Sequence, residues 1–156
     1  MKKILVLLVF VISMVGADAL KISSPISGLN KFEYESPQAK KMLIPDDTRT
    51  IIVSFEKDTG KLVNEYLDAK YPPYLSRVRA VFIADISKMP SLITRFFALP
   101  KLKKYKHTIY LHYKDEFAKY VPSKDEKVTI IKLKDKIVQD ISFISTKEEL
   151  KAALER

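Results

Sequence analysis

No cysteine occurs among the 156 residues, so neither a disulfide staple nor a thiol nucleophile is available, and the fold must stand on its apolar core alone. Glycine is nearly as scarce. Three are present, and no G-x-G-x-x-G can be written, which excludes the glycine-rich dinucleotide turn. The two histidines, His107 and His112, lie five residues apart, a spacing that puts them on opposite faces of a regular strand. A joint metal site is therefore not expected of them, and surface or edge-strand positions are. No nucleophile triad, phosphate loop, repeat or low-complexity tract is found. No apolar run reaches the roughly 20 residues that a membrane-spanning helix needs.

The apolar run that is present, Ile4 to Val15, follows Lys2 and Lys3 and precedes Ala17-Asp18-Ala19. A short positive region, an apolar centre and small residues two apart make a cleavable secretory signal. Cleavage is expected after Ala19, giving a periplasmic or secreted chain, and without cysteine there is no lipobox to acylate. The segment takes with it two lysines and one aspartate, so the net charge falls from +9 to about +8. A basic balance either keeps a small domain soluble or favours anionic partners: phospholipid, lipopolysaccharide, acidic wall polymers or acidic proteins. Nucleic acid is not a partner expected in that compartment.

Residues 20–30, with Ser23, Ser24, Pro25, Ser27 and Gly28, read as an extended lead-in, and 31–156 as one domain of ordinary size. Phe32 and Tyr34 alternate with charges, as do Met42 and Ile44 after a break at Ser36-Pro37, which is hairpin patterning. Thr50 to Phe55 is a β-branched run suited to a strand buried on both faces. A helix is expected from Asp58 or Thr59 as cap through Leu62, Val63, Tyr66 and Leu67, ending before Pro72-Pro73. Ala80 to Asp85 reads as the next, parallel strand. Leu92, Ile93, Phe96 and Phe97 share one helical stripe and are expected in the core, before a kink at Pro100. Thr108 to Leu111 is a third strand, and a helical turn follows over Asp115 to Tyr120. Val128 to Leu133 and Ile137 to Phe143 form a hairpin, and Ser145-Thr146-Lys147-Glu148 opens a last helix as a capping box.

Hairpin, β-α-β-α-β, hairpin and closing helix, spanning Gly28 to Leu154, resembles the thioredoxin-like superfamily in its peroxiredoxin-like and TlpA-like branches. The implied fold is α/β with three layers: a mixed central sheet, an N-terminal β-hairpin and flanking helices. Two of that family's features are missing. The turn after Thr50 to Phe55, which should carry the redox cysteines, reads Glu56-Lys57-Asp58-Thr59-Gly60-Lys61. The position before the hairpin's first strand, which should be a cis-proline, is Lys127-Val128. The resemblance thus implies a non-redox member, similar to the cysteine-free periplasmic YtfJ-like proteins. No flavin or nicotinamide signature is present, and no cofactor is expected.

Candidate site residues follow from this frame. The helix N-terminus, flanked by Lys57 and Lys61, offers free N–H groups and partial positive charge to an anion unless Asp58 caps it. Thr59 would serve as a nucleophile only beside a positioned base. Asp85 ends a parallel strand, where α/β folds place ligand crevices, or else caps a turn. With Gly60 and Lys127 these make a candidate ligand-binding crevice; no residue is assigned a catalytic role. Lys101, Lys103, Lys104 and Lys106, interleaved with Leu102 and Tyr105, form either a solvated face or a docking surface for anionic lipid or an acidic protein. The preferred reading is a binding or scaffolding module for an anionic or protein partner. The alternative is an enzyme using Asp58, Thr59, Asp85 and Lys127, or a bound cofactor, at the crevice.

Overall fold

The computed structural model describes residues 19–156; the expected signal segment, up to residue 18, lies outside them. The backbone organises into a seven-stranded sheet ordered β2-β1-β5-β4-β3-β6-β7. The first two strands, β1 (Tyr34–Glu35) and β2 (Lys41–Met42), are the expected hairpin. β3 (Thr50–Ser54) is buried throughout and pairs on one side, in parallel, with β4 (Ala80–Asp85). Its other neighbour is antiparallel β6 (Val128–Lys134), which turns into β7 (Ile137–Ile144). β5 (Tyr110–His112) joins β4 to the first hairpin. The result is the mixed sheet with flanking helices expected of a thioredoxin-like fold.

Period-two alternation assigns each strand's side chains to two cores. Ile51, Val53, Val81, Ile83, Ile131 and Leu133 point to one face, where Tyr34, Phe55 and Phe117 pack. Ile52, Phe82, Val128 and Ile130 point to the other. That second face is covered by α1 (Lys57–Asp68), the short α2 (Tyr74–Arg77) and the C-terminal helix. The first face is closed by residues 20–30, in which Leu20, Ile26 and Leu29 are buried and Ser23 and Ile26 donate to backbone carbonyls of the β7 hairpin.

The greatest departure from the sequence reading falls on residues 91–102. A turn of α-helix, α3 (Ser91–Ile93), runs into a π-helical stretch, Thr94–Ala98, and then α4 (Leu99–Leu102). Leu99 N–H reaches back five residues to Thr94 O, so the inward positions are Thr94 and then Leu99 and Leu102. This widened turn breaks the 3.6-residue phase on which the core assignment of Leu92, Ile93, Phe96 and Phe97 rested. They are exposed by 67, 45, 61 and 70%. Next come α5 (Glu116–Tyr120), which buries Phe117, and α6 (Lys147–Glu155). The α6 cap is Thr146, whose Oγ1 accepts from Glu149 N–H at 3.1 Å, so the N-cap sits one residue later than Ser145 suggested. Among the described residues no helix is long and apolar enough to cross a membrane.

Candidate functional site

The C-terminal ends of β3 and β4 and the start of β6 meet at one edge of the sheet. Glu56, in extended conformation, is the N-cap of α1 and forms a capping box with Thr59. The expected caps therefore shift: Asp58 is an exposed residue of the first helical turn, where its charge favours the helix dipole, and Thr59 is the third helical residue. Thr59 Oγ1 accepts from Glu56 N–H at 3.3 Å and donates to Glu56 O at 3.0 Å, so this buried hydroxyl is engaged on both sides. Glu56 Oε1 also accepts from the backbone N–H of Glu126 at 2.9 Å, and Glu126 adopts left-handed backbone at φ 61. One carboxylate thus ties the helix start to the loop leading into β6.

The remaining crevice candidates are placed nearby but make partners elsewhere. Lys127 Nζ donates to Ser145 Oγ at 3.2 Å. Buried Asp85 accepts from Ser87 N–H at 2.9 Å, which makes it a turn-capping aspartate. Lys61 pairs with Glu65 at 3.9 Å, and Lys57 and Asp58 are exposed. Gly60 packs its backbone against β3, where an added Cβ would lie 3.4 Å from Ser54 Oγ.

Beside this edge the 91–102 segment overhangs a cavity of about 590 Å³ lined by Ile86, Ser87, Met89, Thr94, Leu99 and Tyr113. Burial, with Glu35 nearby, pushes the Tyr113 phenol up to about 12. From Ile86 to Lys114 the chain carries seven Lys and Arg side chains and no Asp or Glu. Lys88, Arg95, Lys101, Lys103, Lys104 and Lys106 are all exposed and form no ion pair with any described residue. Arg95 lies over the Phe96 ring at 5.6 Å. The four lysines singled out in the sequence therefore follow, along the chain, a segment with four exposed apolar side chains, whose exposure the regular helical phase conceals.

Both histidines are buried, in place of the surface or edge positions expected, and they lie on opposite faces of the sheet. His107 Nε2–H donates to Asn64 Oδ1 of α1 at 2.8 Å while Tyr105 stacks on the ring at 5.0 Å. Burial holds its pKa below the ordinary value, partly opposed by Asp68. His112 Nδ1–H donates to Glu33 O at 2.8 Å among the rings of Phe32, Tyr34 and Phe117. Among the described residues no group of three or more His, Asp or Glu side chains converges as a metal site would require.

No family model matches the chain, and no curated protein does. Solved structures match its fold. Peroxiredoxin Q from Xanthomonas campestris superposes with TM-score 0.54 at 12% identity, over 88% of this chain and 97% of that one. A putative protein disulfide isomerase from Bacteroides thetaiotaomicron gives 0.53 at 11% identity, covering 88% and 86%. A SCO1/SenC family lipoprotein from Bacillus anthracis gives 0.51 at 9%, covering 80% and 91%. The chain has the thioredoxin-like fold of these peroxiredoxin, SCO1 and disulfide-isomerase proteins and no cysteine. Similarity to the YtfJ-like proteins is not shown by these neighbours.

Proposed function

We propose that this chain is an extracytoplasmic thioredoxin-fold binding module without thiol chemistry, which docks on an anionic bilayer surface through residues 88–106. The observation that carries this reading is the exposure of Leu92, Ile93, Phe96 and Phe97 inside a stretch whose charges are all positive. Contiguous apolar side chains rimmed by polar ones mark interaction surfaces. Apolar side chains that enter the headgroup boundary while cations meet anionic lipid describe interfacial binding, and each lysine near such a surface adds about 1 kcal/mol. The expected signal segment and a lipoprotein among the fold's neighbours support a location outside the cytoplasm. The crevice supports a binding role better than an enzymatic one, because Thr59 and Asp85 are each engaged by the chain's own backbone.

Co-sedimentation of the chain beginning at Leu20 with phosphatidylglycerol and with phosphatidylcholine vesicles tests the reading. Binding to the anionic vesicles alone, weakened by salt and lost in F96S/F97S as well as in K101Q/K103Q/K104Q, is the expected result. Absence of binding at low salt overturns it. Binding that survives F96S/F97S assigns the interaction to charge alone and overturns the apolar part.

A further inference from the structure

The sheet edge opposite the crevice, where β3 and β4 begin, holds a second concavity of about 540 Å³, a volume within the range of small-molecule sites. Arg49 and Arg79 immediately precede these two strands, and Arg49 N–H donates to Arg79 O at 2.8 Å, which fixes their backbones side by side. Arg79 holds φ 53, the left-handed region disfavoured for a residue with a side chain. Arg77, from the last turn of α2, places its guanidinium 5.8 Å from the Tyr74 ring centroid. Lys132 rises from β6 on the same lining. Its ammonium donates to Thr50 Oγ1 at 3.1 Å and to Ala153 O at the end of α6, which leaves one N–H uncommitted.

The charges on this lining do not balance. Arg49, Arg77, Arg79 and Lys132 form no ion pair with any described residue. The carboxylate beside them, Glu155, accepts from Tyr74 O–H at 3.1 Å. Burial holds the Lys132 ammonium below its ordinary range, opposed by Asp140, its cross-strand neighbour on β7, so this cation is partly desolvated with no carboxylate close enough to form an ion pair. Desolvated charge is unfavourable unless a counter-charge supplies hydrogen bonds. Arginine supplies a rigid donor fork whose geometry matches phosphate oxygens two at a time.

We propose that this concavity binds a small soluble polyanion with adjoining phosphoryl groups, gripped by Arg49, Arg77 and Arg79 from the rim and by Lys132 from the wall. Its volume exceeds what one phosphate would occupy, and the excess of positive charge calls for a ligand bearing more than one negative charge.

Isothermal titration of the chain beginning at Leu20 with inorganic pyrophosphate, and with inorganic phosphate for comparison, tests the proposal. One saturable site is expected, with pyrophosphate bound more tightly than phosphate. R49Q/R77Q, checked to melt as the wild type does, is expected to weaken pyrophosphate by about tenfold or more, since each lost charge-assisted contact carries roughly that factor. K132Q is expected to weaken it as well, whereas K101Q/K103Q/K104Q leaves it unchanged. Absence of a saturable site at low salt, or affinity that follows the 101–104 lysines and ignores Arg49 and Arg77, overturns the proposal. Vesicle binding by R49Q/R77Q is expected to remain intact, so failure here and failure of the bilayer reading are read separately.

Discussion

Two groups of phenylalanines in this molecule have opposite fates. Phe117 is fully buried, with Phe32 and Phe55 edge-on or tilted against it at 5.3 and 5.9 Å and His112 at 5.2 Å. Phe96 and Phe97 lie mostly in solvent. Residue type is the same in both places, so hydrophobicity alone does not decide burial. Backbone phase does. Phe117 sits on a short helix seated directly on the aromatic face of the sheet, whereas the π-helical turn before Leu99 delivers Thr94 and Leu99 to the interior and leaves their apolar neighbours outside.

The largest effect that would sharpen this contrast is Phe117→Ala. Truncating a buried phenylalanine removes transfer energy and leaves a void, so a loss of about 3–5 kcal/mol is expected in urea unfolding. A loss near 1 kcal/mol would mean that the aromatic face collapses around the gap. A middle-sized effect belongs to His107, which ties the foot of the outer segment to α1 through Asn64. Its pKa is lowered in the folded state, so the unfolded chain binds the proton more readily. The stability it contributes is complete above pH 6.5, its ordinary pKa, and declines as pH falls through that value toward the folded one. Melting temperatures taken from neutral to mildly acidic pH are expected to drop more steeply for the wild type than for His107→Asn. Equal slopes would remove His107 as the origin. The smallest effect should come from F96S/F97S, within about 0.5 kcal/mol of the wild type, because surface substitutions that break no packing rarely exceed that. A loss of several kcal/mol would show that these rings are buried in solution and would break the comparison.

Most of the frame was legible in the chain. Thr50 to Phe55 and Ala80 to Asp85 are β-branched and apolar enough to declare central parallel strands, and Pro72-Pro73 stops α1 where it should. Residues 91–102 are not legible in the chain because an i→i+5 turn leaves no residue signature, and apolar spacing alone fits a period of 3.6. Glu56 does not stand out as a cap because Asp58 and Thr59 have the better intrinsic preference; its box with Thr59 is local, and only the fold adds the bond to Glu126, 70 residues away. The arginine concavity was invisible for a related reason. Arg49, Arg77 and Lys132 are far apart in sequence, and only the pairing of β3 with β4 and β6 gathers them.

Glu56 also takes thiol electrochemistry away from the start of α1. In a thiol-bearing fold the charge at this helix start changes whenever the sulfur is oxidised or reduced, and stability and shape change with it. A carboxylate, here bonded to Glu126, undergoes no thiol oxidation or reduction. The α1 terminus is thereby a constant, and a compartment's oxidising power cannot be written into this protein through that position.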